Sequence, residues 1–403
     1  MAALFLAPIY ILINVYIVQW IFRWMGSCHY LFRTSLFRIL FSGAYIFLAA
    51  ALLTGFLIQH PAAIHRLLKN IGNYFLGIFL YILMTVAVLD LGRLVLKYVF
   101  HASWISSRTS FVITGTICVL LILTVSIYGI VHTTALKVTP YDVTVSKKAE
   151  GLDSLKIVLV ADTHFGYSAG ARHAWRIVRK INEQNPDLVC FAGDIFDNEL
   201  EAIAEPEEVK KALLSIRSVY GTYACWGNHD LEEAILAGFT FSGGNRTESS
   251  SSMEDFLKDC HIRLLDDEAV LIDNAFYVVG RKDLSRSKKL QETRKTPAQL
   301  TESLDRRKPV IFIDHQPKEL EEVSKAGADL DLCGHTHNGQ IFPGNLAIRF
   351  FWENPCGSLQ KGSMHNIVTS GAGVWGPNMR VGTDSEICPI TIHFLKRAIR
   401  ASY

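Results

Sequence analysis

The chain has 403 residues, of which 50% are hydrophobic, and its formal net charge is +2. That length allows two or three domains, and a net charge so close to zero gives no indication of a nucleic-acid partner. The apolar residues are unevenly distributed, with most of the excess before residue 135.

The first third of the chain contains four apolar windows without a charged side chain. They run over residues 2–22, 39–58, 72–89 and 111–131. A helix of about 20 apolar residues matches the hydrocarbon core of a bilayer. Buried helices of a soluble domain are the alternative, but four windows in succession with charges only at their flanks favour membrane helices. We expect a transmembrane region over 1–134 and a linker over 135–150.

Basic residues near the ends of these windows predict the orientation, since Lys and Arg stay mainly on the cytoplasmic side. The loops after the first and third windows carry six such residues, and the loop after the second carries two: Arg23, Arg33, Arg38, Arg93, Lys97 and Arg108 against Arg66 and Lys69. This count predicts a multi-pass protein of the cell membrane, in contact with the lipid bilayer, whose chain after residue 134 lies outside the cytoplasm. Six of the eight cysteines follow residue 150. They could form disulfides there, but Cys190, Cys225 and Cys333 lie in apolar runs typical of free, buried thiols.

After residue 135 apolar runs that end in polar residues alternate with helical patterns. Five such runs predict buried strands: LKIVLVADTHFG, DLVCFAGD, TYACWGNHD, PVIFIDHQP and DLDLCGHTHNG. Three later segments, AFYVVGRK, HNIVTSGAGV and EICPITIHF, predict further strands, and together they predict two sheets flanked by helices. In open α/β sheets the carboxyl ends of the strands are where ligands bind. Residues 245–247, NRT, fit an N-glycosylation pattern that is frequent by chance.

The predicted strand ends bring together residues that bind metals. They are Asp162, His164, Asp194, Asp197, Asn228, His229, Asp230, His315, His335 and His337. Residues two apart on an extended backbone point to the same face, so we expect Asp162 with His164, and His335 with His337, to face one cavity. Carboxylates, imidazoles and an amide oxygen suit manganese, iron or zinc, whereas a structural zinc site more often uses thiolates. Any one of these residues alone would more often cap a helix; the combination favours a metal site.

In chain order, the motifs DTH, GDIFD, GNHD, DH and GHTH resemble the signature of the calcineurin-like metallophosphoesterase superfamily. The tail HNIVTSGAGVWGPNMRVGT is similar to a bacterial, membrane-attached branch of it. The resemblance implies an α+β fold over residues 151–403, a four-layer αββα sandwich with two divalent metal ions at the strand ends. No motif covers the transmembrane region.

The resemblance also implies a role for each motif residue. Asp162, His164 and His337 would bind one metal, Asn228, His315 and His335 the other, and Asp194 would bridge the two. A hydroxide shared by the metals would attack phosphorus, while His229 would donate a proton to the leaving oxygen with its ring oriented by Asp230. A third ligand or a satisfied core histidine is the alternative for His229.

Two alternative roles are predicted for each of three further features, and one role for a glycine. Asp197 would either support a ligand histidine or cap a helix beginning near Glu199. The basic segment 281–295 would either attract an anionic substrate or form a solvated face. Arg380 would either clamp a substrate phosphate or pair with Asp384. Gly334 would permit a tight turn beside the histidines.

Together these features predict a membrane-anchored, two-metal phosphoesterase whose substrate is a phosphate ester, possible examples being lipid-linked or envelope phosphates. The alternatives are a transport or sensing protein whose soluble domain binds a phosphate ligand without turnover, and a structural metal module. The motif residues are all present, including His229 and Asp194, and this favours an enzyme over a binding protein or a structural metal module.

Overall fold

A computed structural model describes residues 2–58, 60–233, 235–236, 239–240 and 251–395. The chain divides into two compact units, the first formed chiefly by residues up to Val131 and the second chiefly by residues from His132 onward. The tetrapeptide Gly376–Met379 belongs to the first unit. The NRT triplet at 245–247 lies outside the described residues.

The first unit consists mainly of four long helices. They are α1 (Ala2–Cys28), α2 (Ser35–Leu57), α3 (Ala62–Tyr98) and α4 (Arg108–His132). All four are long and apolar enough to cross a membrane, as the apolar windows predicted. Each helix extends beyond its window, because flanking charged residues such as Arg23 and Arg93 continue the helical backbone. Thr34 caps α2 by accepting a hydrogen bond from Phe37 N–H.

Helix packing in this unit uses small residues at the closest approaches. A Cβ added at Gly72 in α3 would lie 3.0 Å from Leu52 Cα in α2, so the two backbones meet where a side chain is missing. Buried polar groups pair inside the unit: Tyr45 Oη donates to Asn14 Oδ1 at 2.8 Å. Asn378 N–H, in the tetrapeptide, donates to the Asn73 carbonyl of α3 at 3.3 Å.

The second unit contains two mixed sheets and a two-stranded ribbon. The strands are β1 (Leu136–Val138), β2 (Tyr141–Val145), β3 (Ser154–Val160), β4 (Leu188–Ala192), β5 (Thr222–Cys225), β6 (Ile235–Leu236), β7 (Phe239–Thr240), β8 (Ile262–Leu264), β9 (Glu268–Ile272), β10 (Phe276–Gly280), β11 (Val310–Ile313), β12 (Leu330–Cys333), β13 (Gly357–Lys361), β14 (Met364–Val368) and β15 (Ser385–Phe394). The first sheet has the order β1-β15-β3-β4-β5-β8 with β2 also paired to β15, the second has the order β13-β14-β12-β11-β10-β9, and β6 pairs with β7.

Residues 135–150 differ from the expected linker. They carry β1 and β2, both paired in parallel with β15. Val143 and Val145 of β2 are buried between the sheets, and this burial explains why a short polar-apolar alternation joins the sheet instead of remaining a connector. The alternating strands and helices of the remaining chain follow the predicted order.

Side-chain alternation along the strands produces the layers. In β3, Ile157 and Leu159 pack in the core shared by the two sheets, while Val158 and Val160 pack against helices on the outer face. The helices are α5 (Ala171–Glu183), α6 (Pro206–Leu214), α7 (Ser251–Asp259), α8 (Leu284–Leu290), α9 (Pro297–Thr301), α10 (Leu320–Lys325) and α11 (Gly344–Ala347). Residues of α5, α6 and α7 cover the first sheet, and residues of α9 and α10 cover the second. The α+β sandwich expected from the sequence is confirmed.

All eight cysteines are free thiols. Cys190, Cys225 and Cys333 are fully buried, as their apolar neighbours predicted, and the disulfide alternative is wrong for this structure.

Candidate metal centre

The five predicted strands, β3, β4, β5, β11 and β12, end next to one another. Neighbouring members of the set are parallel within each sheet, so their carboxyl ends lie at the same edge. The polar residues that follow these ends occupy one buried region between the two sheets. The apolar sequence of each strand ends at this shared edge, and the polar residues that follow form the site.

Three of the side chains form a first group. Ligand atoms of Asp162, His164 and His337 all lie within 4.8 Å of one another. His164 Nε2 is 3.1 Å from His337 Nε2, and His337 Nε2 is 4.0 Å from Asp162 Oδ1. Two histidines that face each other at this distance, with a carboxylate beside them, match the donor set of a transition-metal ion.

A second group contains Asp194, His315 and His335, whose ligand atoms also lie within 4.8 Å of one another. His315 Nε2 is 3.1 Å from Asp194 Oδ2 and 3.1 Å from His335 Nδ1. Asn228 completes this group, since its Oδ1 lies 3.1 Å from His315 Nε2. The structure thus sorts the predicted residues into the same two sets that the motifs indicated.

Asp194 lies between the groups. Its Oδ2 is 3.1 Å from His315 Nε2 in the second group and 3.9 Å from His164 Nε2 in the first. The side chain is almost completely buried, so this oxygen is directed at both groups and away from solvent. One carboxylate is therefore shared by two clusters of ligand atoms.

The outer ring nitrogens of the histidines have partners that fix which nitrogen faces the cluster. His315 Nδ1 donates to the Ala192 carbonyl at 2.8 Å, which leaves Nε2 as the nitrogen with a free lone pair. His164 Nδ1 faces Asp197 Oδ1 at 3.5 Å and leaves its Nε2 directed inward in the same way. Lone pairs aimed at a common point beside carboxylates fit a bound cation.

These contacts decide between the two alternatives for Asp197. The short 3-10 helix that begins at Leu200 has Glu199 at its N-cap and no side-chain capping hydrogen bond. Asp197 instead supports His164 at 3.5 Å, so the helix-cap alternative is wrong.

The backbone of the motif residues is not extended. Asp162, His164, His335 and His337 have φ values of 54°, 45°, 73° and 49°. This left-handed region is unfavourable for residues with a side chain, and strained residues of this kind persist where the surrounding structure enforces them. The extended backbone expected at these residues is therefore wrong, although their side chains do converge on the two groups of ligand atoms.

Two glycines allow carboxylates to approach the backbone closely. A Cβ at Gly334 would lie 2.5 Å from Ala161 Cβ and 2.7 Å from Asp162 Oδ2. A Cβ at Gly227 would lie 2.2 Å from the backbone nitrogen of Asp194. Gly334 is thus needed for close packing behind Asp162, and its carbonyl also accepts from Thr336 N–H at 2.9 Å in a tight turn, as the sequence predicted.

His229 is held by a residue that sequence reasoning missed. Its Nδ1 donates to Asn198 Oδ1, and Asn198 Nδ2 in turn donates to the Leu231 carbonyl at 3.0 Å. Asp230, expected to orient the ring, instead accepts hydrogen bonds from Phe196 N–H at 2.8 Å and Gly227 N–H at 2.7 Å. That expectation is wrong. Asp230 instead links the backbones that follow β4 and β5. Asn198 directly follows the motif GDIFD, and this position was the sequence signal that could have identified it.

The electrostatics of the centre favour bound positive charge. Burial, together with the nearby Asp194 carboxylate, raises the pKa of the Asp162 carboxyl to about 7. Burial lowers the pKa of His229 to about 4, so this ring is neutral near pH 7. A buried carboxyl in this state stays ionised only when positive charge lies beside it.

Arg380 does not occupy the predicted position for a phosphate clamp. Its side chain is fully buried, and its Nη2 donates to the carbonyls of Ser370 at 2.6 Å and Gly373 at 2.8 Å. Nη1 donates to the His337 carbonyl at 3.4 Å. The guanidinium therefore holds the backbone behind His337 and has no face open to a substrate. The alternative pairing is also wrong, because Asp384 pairs with His132 and Lys137.

The basic segment 281–295 is largely neutralised. Arg281 is fully buried and pairs with Asp314 at 2.9 Å, and Lys289 pairs with Glu233 at 2.6 Å. Arg286 is buried against the Trp226 ring. These contacts place much of the segment's charge in pairs or in the protein interior, while Lys288 and Lys295 are exposed.

Comparison with known proteins agrees with the motifs. The family model of the calcineurin-like phosphoesterases matches residues 155–339. A zebrafish (Danio rerio) transmembrane protein with metallophosphoesterase domain is 32% identical over 66% of this chain and 60% of its own length. The domain over residues 155–339 belongs to the calcineurin-like metallophosphoesterase superfamily.

Bacterial metallophosphoesterases also resemble this chain. An uncharacterized metallophosphoesterase of Campylobacter jejuni is 29% identical over 58% of each chain. The UDP-2,3-diacylglucosamine pyrophosphatase LpxG of Chlamydia trachomatis is 23% identical over 51% of this chain and 70% of its own length. This chain spans about 60% of the length of the zebrafish relative described above. Its four apolar helices, together with the relatives named as transmembrane proteins, identify a membrane protein.

Proposed function

We propose that this metallophosphoesterase is a metal-dependent hydrolase of phosphate esters that uses two divalent cations, manganese, iron or zinc. The observation that carries the proposal is the position of Asp194 Oδ2, 3.1 Å from one group of ligand atoms and 3.9 Å from the other. When bound, two such cations supply an activated water at neutral pH and neutralise charge on the phosphoryl oxygens. Asp162, His164 and His337 would hold one cation, and Asn228, His315 and His335 the other.

The chain's own residues would complete the reaction. Asn198 accepts a hydrogen bond from His229 Nδ1 and orients the ring, so the neutral ring keeps its lone pair at Nε2, which would take up a proton and deliver it to the leaving oxygen. Arg380 and Asp197 would act as positioning residues for His337 and His164. Burial of the cluster would exclude bulk water from the reacting phosphate.

We further propose a lipid-linked phosphate ester or pyrophosphate as the substrate class. Helices that cross the membrane restrict the enzyme to a bilayer surface, where amphiphilic substrates are concentrated. The name of the Chlamydia relative gives it a diacylated sugar nucleotide as substrate, which supports the same chemical class here. The excess of basic residues after the first and third helices supports a cell-membrane enzyme with its catalytic unit outside the cytoplasm.

Hydrolysis of an aryl phosphodiester by the full chain in nanodiscs tests the catalytic part of this proposal. We expect activity that a chelator removes and Mn2+ restores. Asp194→Asn and His337→Ala should each reduce this activity by at least about 1,000-fold, without loss of the folded state by circular dichroism.

Asp142→Asn is the matched control, because Asp142 is an exposed carboxylate of β2 whose side chain is 75% accessible. It should leave hydrolysis unchanged. Wild-type turnover by the Asp194→Asn and His337→Ala variants would rule out the proposed centre.

A further inference from the structure

Among the described residues of the second unit, a short apolar segment beside the metal centre carries the most exposed large hydrophobic side chains. Phe350 is 88% exposed and Phe351 is 79% exposed, the highest values of any large hydrophobic side chain among the described residues. Leu346 is 54% exposed. We call these three side chains the apolar tip. Three large exposed apolar groups within six residues mark an interaction site in a soluble domain.

Both ends of the segment that carries the apolar tip are fixed at the centre. On the amino side, Gly339 lies two residues after His337, and the backbones of Gly339 and Gly344 lie so close that a Cβ at Gly339 would be 2.3 Å from the Gly344 carbonyl carbon. On the carboxyl side, the Trp352 ring centroid is 5.1 Å from that of His335. The tip is therefore held near the ligand histidines by two rigid attachments.

Positive charge lies next to the apolar tip. Lys318 Nζ is 4.9 Å from the Trp352 ring centroid, and Arg349, within the segment, is exposed. Exposed aromatic and aliphatic side chains that alternate with basic groups are typical of segments lying in the interface of a bilayer with anionic headgroups.

The chain itself supplies a bilayer as the occupant. α4 ends at His132 and β1 begins at Leu136, so three residues join a membrane helix to the first strand of the second unit. A connection of three residues spans about 10 Å, and this covalent tether keeps the second unit at the bilayer surface at high effective concentration. A protein partner would first have to displace that surface.

We propose that Leu346, Phe350 and Phe351 insert into the lipid surface and present phosphate esters embedded in it to the adjacent metal centre. The insertion depends only on the apolar tip, whereas the delivery of substrate rests on the proposed function. Soluble esters would reach the centre without the tip.

Site-directed spin labelling tests the insertion. The full chain is placed in nanodiscs of neutral and anionic lipids, with the half-buried Cys28 and Cys356 replaced by Ser, and a nitroxide is attached at Phe350→Cys. The control is Val219→Cys, because Val219 is 71% exposed and precedes β5 at the opposite end of that strand from the centre. We expect the label at 350 to collide with oxygen at least about threefold more than with a water-soluble nickel chelate, and the label at 219 to show the reverse.

Preferential collision of the 350 label with the nickel chelate would overturn the insertion. So would spin–spin broadening between labels of two chains, since that outcome would identify a second copy as the occupant.

Hydrolysis tests the delivery of substrate. Phe350→Ser with Phe351→Ser should reduce turnover of a diacyl phosphate ester in vesicles by about tenfold and leave turnover of an aryl phosphodiester unchanged. The matched control is Leu214→Ser with Val219→Ser, two exposed side chains that should change neither rate. An equal loss on both substrates, or no loss on either, would contradict delivery by the tip. If the unaltered chain hydrolyses neither substrate, the proposed function fails, while the spin-label result still decides the insertion.

Discussion

The two units of this protein are built in opposite ways. In the helical unit, large apolar side chains such as Leu36 and Ile39 are each 68% exposed, while Asn14 is buried and accepts a hydrogen bond from Tyr45. In the second unit the apolar side chains of the strands are buried, as Ile157 and Phe312 are. A chain surrounded by lipid needs no water-excluding core between helices, so close packing and internal polar pairs hold it together. A domain surrounded by water does need that core.

Two features of the second unit depart from its own pattern, and both concern function. Charged and polar side chains of the metal centre are buried, and the apolar tip at Leu346, Phe350 and Phe351 is exposed. Burial of carboxylates costs free energy unless a cation compensates it. Exposure of aromatic rings likewise costs free energy unless a surface covers them. The buried carboxylates therefore indicate that the centre binds cations, and the exposed rings indicate that the apolar tip is covered by another surface.

The largest expected effect comes from removing core volume in the second unit. Leu159→Ala should lower the free energy of unfolding by about 2–5 kcal/mol, because it leaves a cavity between the two sheets. Leu36→Ala, at a side chain of the helical unit that is 68% exposed, should change it by less than about 0.5 kcal/mol. Thermal unfolding of both variants in the same nanodiscs measures the difference. Equal shifts would break the contrast between the units.

Crowding behind a metal ligand should produce the next largest effect. Gly334→Ala places a methyl group 2.7 Å from Asp162 Oδ2, and displacement of that carboxylate should weaken manganese binding by about 10–100-fold. Gly92→Ala, where nothing lies within 4 Å of the added Cβ, should bind manganese normally. Calorimetric titration distinguishes them, and unaltered affinity of Gly334→Ala would show that Asp162 can move freely.

Loss of the hydrogen bond to His229 should have a smaller effect on the reaction alone. Asn198→Ala should lower kcat about tenfold with unchanged manganese affinity, because the ring loses the acceptor that orients it. Asn198→Asp should restore most of kcat, since a carboxylate also accepts from Nδ1. The control is Asn182→Ala, since among the described residues the Asn182 amide bonds to the Ser215 carbonyl and to Arg217 N–H, away from the centre. This variant should leave both kcat and manganese affinity unchanged. A change in metal affinity at Asn198→Ala would assign it a structural role.

The smallest effect concerns stability and pH. Burial, together with the nearby Asp314 carboxylate, raises the pKa of Asp331 to about 7. Because the folded value exceeds the ordinary value, the stability contributed by the protonated form is complete below about pH 4 and is lost as pH rises through 7. Asp331→Asn should therefore raise the free energy of unfolding at pH 8, on the order of 1 kcal/mol, and the gain should shrink at pH 5. A lower melting temperature at pH 8 would contradict the assignment.

The strand ends and the grouping of the ligands could be predicted from the sequence. In a layered fold, an apolar run that stops at a polar cluster indicates a buried strand that ends at the edge of its sheet. Parallel strands bring such clusters to the same edge. The family resemblance then assigned His335 and His337 to different groups, and in the structure His335 lies beside His315 and His337 beside His164.

The supporting contacts could not be predicted in the same way. Asn198 reaches His229 across 31 positions, and Arg380 reaches back 43 positions to His337. Such pairs depend on how the two sheets meet, which local patterns do not encode. The positive φ values at Asp162 and His164 are likewise imposed by the packed fold against the local preference of those residues.

The most direct test is anomalous diffraction from crystals soaked in Mn2+. We predict two manganese peaks about 3.5–4 Å apart, with the Asp194 carboxylate bound to both, Asp162, His164 and His337 around one, and Asn228, His315 and His335 around the other. A single peak, or an Asp194 side chain bound to only one ion, would contradict a shared two-metal centre.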